Sequence, residues 1–227
     1  MIIAIDGPAA TGKSTSAKLV SQKLGFTYLD TGAMYRCVTL LVLRNNVEIK
    51  NQQDHLTSLL NNFQLDIKND VKDHLFLLDG EDVSKDIRSS DVTDNVSAVS
   101  ALPVVRKKLV SIQRKIADNQ DSVVEGRDIG TVVFPNADVK FFIVADTLVR
   151  AKRRQLDLKR LGEKKTIDSL IKEIRDRDNY DSQRKISPLT KAIDAIEVNT
   201  TNTTIDEQVN FMVNKVKLLI KEKNKYE

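Results

Sequence analysis

The fold of this 227-residue chain is decided by the stretch Gly7-Pro8-Ala9-Ala10-Thr11-Gly12-Lys13-Ser14. It matches the phosphate-binding pattern G-x-x-x-x-G-K-S/T without a departure. Before it stands the continuous apolar run Ile2-Ile3-Ala4-Ile5, which is typical of a strand buried on both faces of a parallel sheet. After it, apolar residues recur near helical spacing from Lys13 to Leu24, and Gly25 supplies the stop. Strand, loop and helix in this order predict a parallel α/β domain.

The residue types of this loop suit the phosphates of a bound nucleotide. Glycine lets the backbone wrap closely around a phosphate, and successive N–H groups with the helix N-terminus face the anion. Lys13 is expected to reach the β- and γ-phosphates of ATP, and the Ser14 hydroxyl is expected to ligate Mg²⁺. A chance Gly-rich turn is the alternative, and it would leave Lys13 without a role. The residues predicted to bind the donor nucleotide here are Gly7, Pro8, Ala9, Ala10, Thr11, Gly12, Lys13, Ser14 and Thr15.

The composition excludes several classes of protein. With 41% hydrophobic and 30% charged residues, the chain resembles a folded, soluble domain and not a disordered one. The 36 Lys and Arg residues against 32 Asp and Glu residues leave a net charge of +4, which suits a polyphosphate ligand as well as a nucleic acid. There is no Trp, and the 5% share of aromatic residues leaves little material for stacking on bases. No nucleic-acid partner is therefore expected.

The single cysteine and the hydropathy pattern bear on location. Cys37 alone excludes an internal disulfide and a Cys-rich zinc site, and it fits a reducing compartment. No apolar run approaches the roughly 18–20 residues needed to cross a bilayer. The apolar N-terminus stops at Asp6 and lacks the basic segment of a signal peptide. We expect a cytoplasmic protein with no membrane partner, and we take a monomer as its expected state.

One segment departs from the alternation of strands and helices. Phe63, Leu65 and Ile67 alternate with polar residues, and Asp79-Gly80 marks a turn, so hairpin strands are expected there. We interpret about 63–88 as an inserted subdomain of a single domain that spans the whole chain.

Two helical patterns in the C-terminal half are candidates for a lid. The first, from Leu148 to Leu161, is highly basic, and the second, from Ile167 to Asn179, has strongly mixed charge. A basic helix of this kind can close over bound phosphates and exclude water, and an exposed basic helix without a ligand is the alternative. The predicted single domain of residues 1–227 thus comprises a core of 1–62, 89–148 and 190–227, the insert of about 63–88, and a lid with adjoining helices of about 149–189.

Other patterns predict the rest of the sheet and its helices. Thr31 is expected to cap a second helix that runs through Met34, Val38 and Val42. The remaining predicted strands are Tyr28–Asp30, Val123-Val124, Val139–Val144 and Ala195–Val198, and the remaining predicted helices are Asp91–Leu102, Pro103–Ala117 and Ile205 to about Ile220.

Three further stretches place charged and polar residues where a parallel sheet binds its ligands. Leu29-Asp30-Thr31-Gly32-Ala33-Met34-Tyr35-Arg36 follows a strand end, and Gly126-Arg127-Asp128 follows the apolar Val123-Val124. Ligands of open α/β sheets bind at the carboxyl ends of the strands. The third stretch, Arg175 to Arg184, crowds arginines and aspartates on one helix and its exit. The alternatives are a solvated, salt-bridged helix for this stretch and a structural turn for Gly126-Arg127-Asp128.

Five motifs, in order along nearly the whole chain, carry a resemblance to a known family. They are the phosphate loop with its preceding Ile5-Asp6, the stretch Leu29 to Arg36, Gly80-Glu81-Asp82-Val83-Ser84, Gly126-Arg127-Asp128-Ile129-Gly130-Thr131-Val132-Val133-Phe134-Pro135, and Arg175-Asp176-Arg177-Asp178. With them the chain resembles the bacterial cytidylate kinases, members of the nucleoside monophosphate kinase group. The resemblance implies a P-loop NTPase three-layer α/β fold with a central parallel sheet, an inserted acceptor-binding subdomain with short antiparallel strands, and a helical lid. It also implies transfer of the γ-phosphate of ATP to CMP or dCMP, which gives CDP or dCDP and ADP.

The resemblance also implies which residues bind the acceptor. It assigns Asp128, Arg106 and Ser97 to the cytosine base, and the chemistry agrees, since the exocyclic amine suits a carboxylate and O2 and N3 accept from Arg. It assigns arginines to the acceptor phosphate, which guanidinium groups bind bidentately. It assigns Asp181 to the ribose hydroxyls. The resemblance implies three sets of site residues. The residues implied to bind the acceptor are Thr31, Tyr35, Arg36, Ser97, Arg106, Arg127, Asp128, Arg177, Asp181 and Arg184. The implied catalytic residues are Lys13, Arg127, Arg177 and Arg184, and the residues implied to contact ATP are Arg150 and Arg153.

The residues alone leave other functions open. The phosphate loop does not discriminate acceptors, so a kinase for UMP or for a small metabolite is one alternative. A nucleotide-binding regulator or a basic RNA-binding module is another. Arg106-Lys107-Lys108 could form a solvated helix face, and His55 and His74 have no partner spacing. Whether Asp30 or Asp128 acts as a base is open, although an acceptor phosphate is already anionic at pH 7. Cys37 is expected to be a small helix residue and not a nucleophile, because nothing near it in sequence would lower its pKa.

Overall fold

The computed structural model describes residues 1–49, 51–69, 74–160 and 162–223. The strands are β1 (Ile2–Asp6), β2 (Thr27–Asp30), β3 (Leu65–Asn69), β4 (His74–Leu78), β5 (Glu81–Asp82), β6 (Ser122–Glu125), β7 (Val139–Val144) and β8 (Ile196–Asn199). The α-helices are α1 (Lys13–Leu24), α2 (Thr31–Arg44), α3 (Gln53–Asn62), α4 (Ser90–Ser100), α5 (Pro103–Ala117), α6 (Thr147–Arg160), α7 (Ile167–Gln183) and α8 (Ile205–Lys223), with a 3₁₀-helix at Asp86–Arg88 and a π-helix at Ile129–Val133.

These elements form two units, one of Met1–Leu29 with Ala117–Glu227 and the other of Asp30–Ile116. The first unit contains the phosphate loop and both helices of the predicted lid. The second contains the predicted insert together with α2, α3, α4 and nearly all of α5. The insert and lid boundaries at 63–88 and 149–189 stay predictions.

Strand β1 lies at the centre of a five-stranded sheet with the order β2-β6-β1-β7-β8. It pairs in parallel with β6 and with β7, so that Ile3 lies opposite Val123 on one side and Val139 on the other. The β7–β8 pair is parallel as well. Ile3, Ala4 and Ile5 are fully buried, as expected for an apolar run inside a parallel sheet. The predicted parallel α/β fold is confirmed.

Helices α1 and α8 supply much of the core that packs on this sheet. Ala17 and Val20 of α1, with Val209 and Met212 of α8, form one buried cluster with strand residues such as Phe141. Helix α1 ends at Gly25, whose left-handed backbone allows its N–H to bond the Ser21 carbonyl. The predicted stop of this helix is therefore confirmed, and the core fixes the loop that begins α1.

The second unit contains a small antiparallel sheet with the order β3-β4-β5. Leu65 lies opposite Leu78 and Ile67 opposite Phe76, which puts alternate side chains of both strands on one face. Phe76 and Leu78 are buried on that face. The hairpin strands expected in this segment are confirmed.

Some sequence expectations differ from the structure. Asp30, not Thr31, caps α2: its carboxylate accepts from the Ala33 N–H at 2.9 Å, and Thr31 is the first helical residue. Helix α7 continues to Gln183, beyond the predicted end at Asn179. The predicted end of the preceding helix, Leu161, lies outside the described residues, as do the side chain of His74 and the last four residues.

Helices α6 and α7 pair through a small apolar core of their own. It consists of Ala151 and Leu158 from α6 and Leu170 and Ile174 from α7. The two helices therefore behave as one packed pair within the first unit. Within the described residues, no helix is long and apolar enough to cross a membrane.

Candidate active site

The phosphate loop connects the end of β1 to the start of α1. Gly7 has φ +145°, and a Cβ there would lie 2.2 Å from the Ile143 carbonyl oxygen of β7, so only glycine fits this close approach. Gly12 precedes α1 with φ +92°, a left-handed conformation that glycine adopts without strain. The helix N-terminus is therefore aimed at the loop, which is the geometry of an anion site.

Lys13, the first residue of α1, is buried beside other cationic groups. Its Nζ donates to the Pro8 carbonyl at 2.7 Å, so the side chain folds back over the loop. Its pKa is lowered to about 7, mainly by burial and also by the positive charges of Arg127 and Arg177, while the negative charges of Glu125 and Asp6 oppose this shift. The site thus concentrates positive charge in a place shielded from water, and an anion placed there would relieve the repulsion.

Ser14 lies in a short hydrogen-bond chain with two residues of neighbouring strands. Its Oγ donates to one carboxylate oxygen of Glu125 at 2.9 Å, and the Tyr28 hydroxyl donates to the other oxygen. Glu125 is buried at the carboxyl end of β6. A hydroxyl that gives its only proton to a carboxylate presents lone pairs outward, and hydroxyl and carboxylate oxygens are the ligands that Mg²⁺ prefers. Ser14 and Glu125 therefore fit a magnesium site.

Two crossed ion pairs join the turn after β6 to the end of α7. Arg127 Nε donates to Asp181 at 3.0 Å, and Arg184 donates to Asp128 at 3.3 Å. Both aspartates are buried. Arg177, one turn before Asp181, lies near enough to Lys13 to lower its pKa. In the first unit the structure therefore brings together several predicted acceptor and catalytic residues. They are Arg127, Asp128, Asp181 and Arg184, together with Lys13 and the adjacent Arg177.

Arg150 and Arg153 of α6 donate hydrogen bonds to backbone carbonyls of the phosphate loop. Arg150 donates from Nε to the Ala9 carbonyl at 2.7 Å, and its two terminal nitrogens form a fork on Asp178 at 2.6 and 2.9 Å. Arg153 donates to the Thr11 carbonyl at 3.3 Å and to the Thr200 carbonyl at 2.6 Å. Thr200 itself donates to the Thr11 carbonyl at 2.9 Å. The loop is thus fixed from outside by α6 and by the segment after β8.

The second unit holds the other predicted acceptor residues. Arg106 is buried on α5, with its guanidinium 5.5 Å from the centre of the Tyr35 ring, so it does not belong to a solvated helix face. Arg36 donates to the Ile87 carbonyl at 2.9 Å and to the Thr93 hydroxyl at 3.0 Å. Thr31 is buried at the start of α2, and Ser97 lies on α4.

The same unit contains Cys37, for which the sequence predicts no nucleophilic role. Burial raises the pKa of its thiol to about 12, with a smaller contribution from the nearby Asp30. A thiol with so high a pKa carries almost no thiolate at neutral pH, so Cys37 is a packing residue of α2.

The Arg175 to Arg184 stretch divides between solvent and the site. Arg175 and Asp176 are exposed, as the alternative of a solvated helix expects. Asp178, Asp181 and Arg184 instead form the ion pairs described above. One face of this helix therefore belongs to the site.

Three buried residues at the site were not predicted from the sequence: Asp6, Glu125 and Thr200. For Asp6 and Glu125 a signal exists, because each is a charged residue that ends a continuous apolar strand. A carboxylate in such a place is costly to bury without donors, so it is expected to have a role. Thr200 carries no such signal, because a threonine after an edge strand is common.

Comparison with known proteins agrees with this geometry. The chain matches the family model for cytidylate kinase over residues 3–218. A curated cytidylate kinase of Fusobacterium nucleatum is 47% identical over 216 residues, which cover 95% of this chain and 97% of that protein. Another, from Ligilactobacillus salivarius, is 49% identical over 222 residues, which cover 98% of this chain and 97% of that protein. A solved structure of an uncharacterized protein from Eubacterium ventriosum, 13% identical, matches with a TM-score of 0.50 over 96% of this chain and 98% of that one, which shows the fold alone. The resemblance seen in the five sequence motifs is confirmed: the chain belongs to the cytidylate kinase family.

Proposed function

We propose that the chain transfers the γ-phosphoryl group of ATP to the phosphate of CMP or dCMP, giving ADP and CDP or dCDP. The observation that carries the proposal is the arrangement in the first unit. There the buried Lys13 of the phosphate loop shares its surroundings with Arg127 and Arg177, and Arg127 and Arg184 are paired with Asp181 and Asp128. Membership of the cytidylate kinase family supports the choice of acceptor.

On the donor side, the chain binds and orients the triphosphate. The amides of the loop and of the α1 N-terminus donate to the phosphates, and Lys13 moves its Nζ from the Pro8 carbonyl to the β- and γ-phosphate oxygens. Ser14 and Glu125 would hold Mg²⁺. When bound, that ion neutralises phosphate charge and orients the transferring group. Arg150 and Arg153 fix the loop and lie on the helix proposed to close over ATP.

On the acceptor side, arginines bind the phosphate of CMP. Arg127 and Arg184 exchange a carboxylate partner for the phosphate, and Arg177 faces the transferring group near Lys13. In the second unit, Arg36 is proposed for the same phosphate. Positive charge placed where the transition state spreads negative charge is the main source of rate enhancement in phosphoryl transfer.

The base and the sugar are recognised by carboxylates and by Arg106. Asp128 is proposed to accept from the cytosine amine, and Arg106, with Ser97, to donate to O2 and N3. Asp181 is proposed to accept from the ribose hydroxyls. No strong base is required, because the attacking phosphate oxygen is already ionised at neutral pH. The monomeric state, the cytoplasmic location and the absence of a nucleic-acid partner stay predictions.

A coupled assay that offers CMP, dCMP, UMP, AMP and dTMP with Mg·ATP tests the proposed function. We expect CMP and dCMP to be among the best acceptors. Preferred use of UMP would show that the assignment of the base site is wrong, and it would favour the alternative of a UMP kinase. Salt-dependent binding of RNA without any nucleotide turnover would instead favour the RNA-binding alternative.

Replacement of Asp128 by asparagine tests the base assignment. An amide presents an oxygen in one orientation and donors in the other, and it no longer balances the charge of Arg184. We expect KM for CMP to rise by about 10- to 30-fold, while the Kd of ATP measured by calorimetry changes less than about twofold. An equal loss of affinity for both nucleotides would contradict base recognition by Asp128.

Replacement of Glu125 by glutamine tests the proposed magnesium site. We expect the affinity for ATP in the presence of Mg²⁺ to fall roughly tenfold, because the carboxylate that orients Ser14 is lost, and the affinity measured in EDTA to stay the same. Calorimetry measures both without turnover. The control is Glu197→Gln, which removes an exposed carboxylate paired with Lys191. A fall of equal size in EDTA would assign Glu125 to loop packing instead.

A further inference from the structure

Asp6 ends β1 immediately before the phosphate loop, yet its carboxylate contacts a different segment. Its two oxygens accept from the backbone N–H groups of Ile129 at 2.8 Å and of Gly130 at 2.7 Å. These are the first amides of the π-helix that follows Asp128. A carboxylate that accepts from two amides at a helix start makes strong, charge-assisted bonds with defined geometry. Asp6 therefore caps this turn from the neighbouring strand.

The capped turn is the one that carries Arg127 and Asp128. The Asp128 carbonyl accepts from the N–H groups of Val132 at 2.9 Å and Val133 at 3.2 Å, so the backbone of Asp128 is part of the turn. A Cβ at Gly130 would lie 3.4 Å from the Asp6 carboxylate and 3.0 Å from the Lys140 side chain, so the turn is closely packed where Asp6 holds it. A shift of this turn would move both side chains proposed to bind the acceptor.

This carboxylate lowers the stability of the fold at neutral pH. Asp6 is 4% exposed, and its pKa is raised to about 6. Burial and the negative charge of Asp128 raise the pKa, whereas the hydrogen bonds from the two amides and the positive charge of Lys13 lower it. Because folding raises this pKa from 3.8 to about 6, the cost in free energy of folding grows as the pH rises through that range and is complete above it. Such a cost indicates a role in positioning neighbouring groups, since an apolar residue would pack in β1 without it.

We propose that Asp6 is a positioning residue for the acceptor, which holds the turn that presents Arg127 and Asp128. The proposal rests on the proposed function, because it assumes that these two side chains bind CMP. It assigns Asp6 to the acceptor side of the reaction even though the residue stands next to the donor loop in the sequence.

The test is the variant Asp6→Asn, which keeps the size but turns an NH₂ group toward one of the two amides. We expect KM for CMP to rise roughly tenfold, because a displaced turn weakens the contacts of both side chains with CMP, and a misplacement of about 1 Å can cost about a hundredfold. We expect kcat at saturating CMP to fall less than about threefold, and the Kd of ATP from calorimetry to stay within about twofold. The control is Asp138→Asn. The Asp138 carboxylate accepts from the Ile2 N–H at 2.7 Å near the other end of β1, and this variant should change none of the three constants.

The outcomes separate this proposal from the proposed function. Parallel losses of ATP and CMP affinity would overturn the positioning role, because they would show that Asp6 acts through the donor loop or the fold. An unchanged KM for CMP would overturn it as well. Failure of the unaltered protein to phosphorylate CMP would reject the proposed function itself. If Asp6→Asn does not fold, Asp6→Ser, which keeps one small acceptor, is measured in the same way and carries the same expectation.

Discussion

Replacing Lys13 with methionine should lower kcat for phosphoryl transfer at least about a hundredfold, because one charge contact to the transition state is lost. Methionine matches the length of the lysine stem, so the packing of α1 is kept. Steady-state kinetics with Mg·ATP and CMP measure the effect. Turnover near that of the unaltered protein would contradict the proposed role of the phosphate loop.

The same substitution should raise the stability of the fold at and below neutral pH. In the folded protein the pKa of Lys13 is lowered to about 7 from its ordinary value of 10.5. Between these two values the unfolded chain binds more protons, so the free energy of unfolding of the unaltered protein increases as the pH rises. The stability advantage of Lys13→Met is therefore expected to be largest below pH 7 and to shrink as the pH rises toward 10.5.

Thermal unfolding at a series of pH values measures this trend. Lys23→Met is the matched control, since Lys23 belongs to the same helix and bonds Asn210 on the surface. It should change neither kcat nor the pH dependence of stability. The quantity to compare is the stability of Lys13→Met minus that of the unaltered protein. If this difference were smaller at pH 6 than at pH 9, burial would not lower the pKa of Lys13.

Replacing Arg127 with alanine should lower kcat/KM for CMP by about a thousandfold, the scale of a lost arginine in phosphoryl transfer. Two effects combine. A guanidinium proposed to bind the acceptor phosphate is removed, and the buried Asp181 loses its ion-pair partner at 3.0 Å. Removing this positive charge should also raise the pKa of Lys13, because Arg127 is the charge that lowers it most.

Arg127→Lys and Arg44→Ala are the variants to compare with it. Lysine keeps the charge but lacks the planar fork, so an intermediate loss is expected. Arg44 forms ion pairs with Glu81 and Asp86 on the surface of the second unit, and its loss should leave kcat/KM unchanged. If Arg127→Lys retained full activity, charge alone would account for the role of Arg127.

Local patterns predict much of the fold because the information is contained in short segments. Helices α1 and α5 and strand β7 have the predicted bounds, since a Gly-rich loop, a proline at the first helical position and a β-branched run mark their ends. Helix α3 was missed. Only Leu56 and Leu60 of its residues are buried, so its apolar periodicity is too weak to identify it.

The sequence predicts a set of candidate site residues but not the contacts between them. Arg127 pairs with Asp181, 54 positions away, and Arg150 reaches Ala9 across 141 positions. A charged helix has the same sequence whether its arginines face water or carboxylates, so periodicity cannot assign partners. The π-helix after Asp128 was not predicted either, because its start depends on the carboxylate of Asp6 from another strand.

Under the proposed function, the crossed pairs Arg127–Asp181 and Arg184–Asp128 also affect how long a nucleotide stays bound at the acceptor site. A phosphate that approaches these arginines must compete with carboxylates already in place, so only the difference between the two interactions contributes to affinity. Ground-state binding is weakened, whereas the transition state, in which negative charge spreads over the oxygens between donor and acceptor, gains from the same guanidinium groups. After transfer, the aspartates can reclaim their arginines as the diphosphate leaves. The pairs thus favour short residence of the product and rapid renewal of the site for the next substrate.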